Sequence, residues 1–251
     1  MKNQKATHLI VGILFLLASG YSFAQESDPF AENTVDKAEA VGPPEPDHLI
    51  PVDPYPGDWH VRYTDQLRNR LGLDQVFYFR MLVMPSFSSE YSVSLFGDER
   101  NPWDLASAKK LTLKYSIADR SIWYSMPENN DEKKQKDVRV AVQSTEFPKA
   151  LGVRLFKLWD RMLRDTRYPA GDNSGLDGVT YEFAMWCRYG EIWSPNQRKS
   201  PLLFIELGES LINLCKATPE DRESALKDIE EKAAQLEIYL NRKADSGRSG
   251  D

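Results

Sequence analysis

Histidine, cysteine and recognisable catalytic motifs are what this chain has least of. It contains three histidines in 251 residues. Beyond the first 24 residues only His48 and His60 remain, both in or beside a proline-rich stretch. No scaffold there would hold an imidazole in place, which argues against Ser-His-Asp and Cys-His nucleophilic sites. The same shortage removes HExxH and ordinary histidine-rich zinc sites. Neither GxSxG, a Walker A loop nor GxGxxG occurs. Two cysteines cannot staple a mini-protein, and a chain this long has no need of it. A basic excess is missing too. The formal net charge is −6, which speaks against a dedicated nucleic-acid binder. What remains, at 41% hydrophobic and 28% charged residues, is the composition of a folded globular protein.

The first apolar run reads as an address. Lys2 and Lys5 precede Leu9–Leu17, no acid occurs before Glu26, and Ser22-Phe23-Ala24 places small residues at −3 and −1. The run is too short for a bilayer core of about 30 Å. Residues 1–24 therefore read as a cleavable bacterial secretory signal, the mature protein as periplasmic or secreted, with no later transmembrane segment. Residues 25–58 hold nine acids against Lys37 alone, and seven of the fifteen prolines. Such a stretch has little to bury and reads as a disordered acidic leader, either a spacer or a docking arm for a basic partner. From Trp59 onward acids and bases balance.

Residues 59–240 read as a single α+β domain, and the polar Gly/Ser-containing 241–251 as a disordered tail. A short helix is expected over Thr64–Leu71, ended by Gly72. Val76–Met84 is apolar on both faces, as a central strand would be. Strict alternation then marks Tyr91–Leu95, Leu111–Ile117 and Val138–Val142, with Ile122–Met126 as a hairpin return. The period changes after Pro148, where Leu151, Leu155, Leu158 and Met162 stripe a helix running to about Asp165. A β-hairpin follows over Val179–Cys187 and Glu191–Trp193. Ser200-Pro201 and Thr218-Pro219 open two final helices. The expected fold is an antiparallel β-meander followed by a helix, a β-hairpin and two C-terminal helices packed on the sheet.

Three constellations carry possible chemistry. Arg154, Lys157, Arg161 and Arg164 recur at three- and four-residue steps on one helix face, with Arg167 and Arg198 as possible neighbours. Such a ridge suits an acidic protein surface or an anionic envelope polymer. A solvated face relieved by Asp160 and Asp165 is the plainer reading. Asp172, Asp177, Glu182 and Glu191 could instead pair as carboxylates around a glycosidic bond, with Trp186 and Trp193 stacking on sugar rings. Turn-building and solvated strand faces explain the same acids more simply. Asp172-Asn173-Ser174 hints at calcium, but position five would be Leu176 and no glutamate stands at position twelve. No metal site and no cofactor is implied. Cys187 and Cys215 both fall on expected inward faces, so an exported protein would be expected to join them by a disulfide.

The sequence reading is thus an exported, non-enzymatic binder of another macromolecule, inhibitor-like or immunity-like. The alternative is a carboxylate-dependent hydrolase of glycan or cell-wall polymer, and a third is a structural envelope component. Trp186 and Trp193 join the ridge as candidate binding residues.

Overall fold

The apolar run around Val76–Met84 becomes β1 (Phe79–Pro85), fourth of six strands in one antiparallel sheet ordered β4-β3-β2-β1-β5-β6. The computed structural model describes residues 45–52, 57–98, 104–127, 137–171 and 177–248. The elements are α1 (Asp58–Leu71), β1, β2 (Tyr91–Gly97), β3 (Leu111–Ala118), β4 (Val140–Phe147), α2 (Lys149–Arg164), β5 (Val179–Met185), β6 (Arg188–Trp193), α3 (Ser200–Lys216) and α4 (Arg222–Arg248). This is the α+β class read from the patterning. The signal region, most of the acidic leader, Trp103 and Asp172 lie outside the described residues.

β1 lacks alternation because both its faces are covered. Phe79, Met81 and Val83 face α2 and α3 within the main core, while Leu82 meets Leu67 and Leu71 of α1 on the other side. The centre of the main core is aromatic. Trp159 stacks on Phe79 at 4.3 Å between ring centroids and meets Phe204 edge-on at 4.3 Å, and Phe204 stacks on Phe183. Its indole N–H donates to the Arg80 carbonyl. A ring so enclosed is worth about 3–5 kcal/mol against alanine. α3 crosses β1 at Gly208, where a Cβ would crowd the Met81 thioether, so a larger residue would require that side chain to shift. α4 packs along α3 and is clamped to α2 by charge.

The corrections fall under four heads. Ile122–Met126 is not a strand. The carboxylate of Glu90, fully buried, accepts from Tyr63 Oη (2.8 Å), Ser121 Oγ (3.3 Å), Ile122 N (2.6 Å) and Trp123 N (3.1 Å), which winds Trp123–Ser125 into a 3₁₀ turn. The return strand is β4, 14 residues later. Secondly, residues 45–52 belong to the domain. Ile50 bridges Glu191 at the outer edge of β6, Leu49 is fully buried, and Glu45 accepts the backbone N–H groups of Asn196 and Gln197 at 3.1 Å. Local composition concealed this because the partners lie about 150 residues away. Thirdly, α4 runs through 241–248 instead of fraying at Leu240, and Lys243 bonds Asp165. The helix start is likewise earlier in α1, at Asp58 rather than Thr64.

The fourth correction concerns the cysteines. Both are free thiols. β5 ends at Met185, so Trp186-Cys187 forms the two-residue turn into β6 and Cys187 points to solvent. Cys215 lies near the far end of α3, against Tyr115 of β3, where burial pushes its thiol up to about 12. The turn consumed the position that alternation would have assigned to the core.

Candidate functional site

The basic ridge of α2 is largely spent inside the molecule. Arg154 grips Glu237 of α4 with two hydrogen bonds of 2.9 and 2.6 Å. The side-chain bond to Glu237 holds the Arg154 guanidinium charged, and the same contact keeps the Glu237 carboxyl below its ordinary range. Arg161 donates to Asn241 Oδ1 (2.7 Å) and the Leu240 carbonyl (2.6 Å). Arg164 and Arg188 share Asp160. Lys157 is exposed. Arg167 joins Asp165 and Asp47, and Arg198 bonds Gln235. Helical spacing found the ridge but could not find α4, whose Glu237, Leu240 and Asn241 engage Arg154 and Arg161.

Among the described carboxylates, Glu182 is tied up as a counter-ion and is not left free for a catalytic pair. Glu182 and Glu191 are opposite one another on β5 and β6, yet Glu182 is engaged by the buried Arg80 at 3.1 Å. Arg80 also donates to the Leu73 carbonyl and lies over the Phe77 ring. A carboxylate held this way serves as a counter-ion. Asp177 is exposed at the entry to β5. On the helix-covered face, Tyr91 donates to Glu209 at 3.0 Å, with Tyr115 and Tyr181 close by. Burial first, and the Glu209 charge second, push all three hydroxyls up, so they stay protonated donors at neutral pH. Among the described residues, no group of three His, Cys, Asp or Glu side chains could hold a metal ion.

The tryptophans divide. Trp159 is core. Trp193 is half-buried, its ring lying against Gly178. Trp186 is 47% exposed at the β5–β6 turn and Tyr189 beside it 41% exposed. Its place in the two-residue turn, and not on a strand face, is what exposes Trp186.

One cluster was invisible in the sequence. Lys109, Lys110, Lys149 and Arg222 surround a cavity of about 520 Å³ together with Thr145 and Glu146. They come from the approach to β3, the start of α2 and the start of α4. The pairing of Leu111 with Phe147 brings the first two together, and Arg222 of α4 joins them by donating to Thr145 and the Glu146 carbonyl.

Among the described residues these features define a class: a six-stranded antiparallel sheet with three helices on one face and one on the other, presenting charged and aromatic surfaces. No protein-family model matches the chain, and no curated protein or solved structure is found similar to it. None of the described helices is long and apolar enough to cross a membrane.

Proposed function

We propose that this is an exported bacterial envelope protein, periplasmic or secreted, that works by binding another macromolecule in an inhibitor-like or immunity-like manner. The carrying observation is the β5–β6 hairpin tip, where Trp186 on the two-residue turn and Tyr189 at the start of the paired strand β6 stand exposed. Large aromatic side chains on a pre-ordered element lose little entropy on docking and recur as interface anchors. A protein surface is the partner that suits them best. Lys157 is the ridge residue with the clearest freedom to add charge at that encounter. Export is supported by the N-terminal charge and apolar pattern.

The test uses the protein immobilised as bait in an envelope extract. Trp186→Ala with Tyr189→Ala should lower the melting temperature by only a few degrees, because both side chains are exposed, and should abolish the captured species. Retention of the same species by the double variant would remove the hairpin from the binding surface.

A further inference from the structure

The sheet protects one of its edges, and among the described residues no strand covers the other. At the β6 edge, Ile50 and Glu191 exchange two backbone hydrogen bonds of 2.8 Å. At the β4 edge no strand pairs with the outer side among the described residues. The Asp119 N–H donates to the Arg139 carbonyl, so the odd-numbered residues of this segment turn their backbone groups toward β3. By alternation Val140, Val142, Ser144 and Glu146 turn theirs outward. Arg222 confirms the sense of the ladder by donating to the Glu146 carbonyl.

Natural sheets usually blunt a free edge with lysine, proline or a bulge. This one carries no charge and no proline from Val140 to Thr145, pairs with β3 residue for residue, and leaves Val142 53% exposed. Of the residues whose backbone groups turn outward, Val140, Val142 and Ser144 carry small or moderately apolar side chains, as a docking strand requires, and Glu146 carries a charge. The edge then runs into the cavity at its C-terminal end. Four cations, Lys109, Lys110, Lys149 and Arg222, line it. Glu146 offsets Lys110 at 3.6 Å, and Asp98 accepts the backbone N–H groups of Lys109 and Lys110. The count remains positive, and the uncapped start of α2 at Lys149 adds to it.

We propose that β4 is an acceptor edge for an extended polypeptide segment of a partner protein, which adds as a seventh, antiparallel strand. In that direction the guest's N-terminal end reaches the cavity, so acidic residues should precede its strand. Main-chain bonding to Val140, Val142 and Ser144 supplies affinity, and the four cations supply polarity and register. This surface is distinct from the hairpin tip, and the two readings stand independently.

The experiment is fluorescence anisotropy with a labelled peptide, Asp-Glu-Asp followed by Thr-Val-Ser-Val-Thr, beside a control headed by three lysines. The acidic peptide should bind the purified protein at least about tenfold tighter than the control, and more weakly as salt rises. Val142→Pro removes an N–H that faces away from β3, so the sheet should survive while binding falls about tenfold. Lys109→Glu with Lys149→Glu should reverse the preference for the acidic head, without touching the sheet. Equal binding of the two peptides overturns the proposal. So does acidic-peptide binding that the proline leaves unchanged, which would mean simple anion binding in the cavity. A concentration-dependent dimer in sedimentation that Val142→Pro abolishes would overturn it too, because the edge would then be taken by a second copy.

Discussion

Asp47 shows how a single proton bears on the docking of residues 45–52. Burial disfavours its charge, but hydrogen bonds from His48 and Lys243 and the charges of Lys243 and Arg167 outweigh that and lower the carboxyl to about 2. A pKa depressed below the ordinary 3.8 makes the contribution complete above that value and removes it as pH falls through about 2. With the side chain about one-third exposed, solvent screening reduces the effect to about 1 kcal/mol. Asp47→Asn should therefore cost about 1 kcal/mol at pH 7 and little near pH 2, read from urea denaturation across that range. A loss of equal size at both ends would show that shape, not charge, is what matters there. None of this was legible in the acidic composition around Asp47, because the lysine and arginine that make it useful come from α4 and the α2–β5 connection. The cysteines teach the same lesson. Their even count and export context suggested a bond, and a two-residue turn undid it.

At the scale of elements, the charges of α2 act mainly as a clamp on α4. Arg154 and Glu237 are each about one-third exposed, and their paired hydrogen bonds contribute about 1 kcal/mol. Lys232 and Glu206 repeat the device between α4 and α3 at 3.0 Å. Arg154→Glu should lower the melting temperature by several degrees, through the lost pair and the new repulsion. Adding Glu237→Arg should restore most of it, which calorimetry on the two variants would show. Restoration by the swap would separate a clamp from a ligand site, since an anion site would stay broken. The amphipathic stripes of α2 and α3 were readable because helical periodicity is local. Which acid faces which base was not, since the partners stand 83 residues apart.

Across the whole molecule, the domain starts earlier than its composition suggests. Glu45 caps the backbone before α3, Leu49 is enclosed, and Ile50 shields the β6 edge. Shortening the chain to begin at Gly57 should lower stability by about 2–4 kcal/mol, mostly from the apolar contact of Leu49, and should expose β6 to self-association. Chemical denaturation and light scattering on the shortened chain would measure both effects. An unchanged midpoint would return residues 45–52 to the role of a passive leader.

Period two from Tyr91 to Leu95 and from Leu111 to Ile117, and period 3.6 from Leu151 to Met162, were enough to determine an α+β chain, because each pattern reports only the environment of its own segment. The shortage of histidine likewise told against imidazole chemistry before any folding was considered. Tertiary structure alone decided the rest. Glu90 recruited Ile122 and Trp123 across 32 and 33 residues and turned an apparent strand into a 3₁₀ turn. Glu237 consumed the charge of Arg154, and the register of β3 on β4, with Arg222 bonding Thr145 and the Glu146 carbonyl, gathered four cations around one cavity. Whether a polar group is spent or free depends on what the fold brings within hydrogen-bonding distance, and no local pattern carries that.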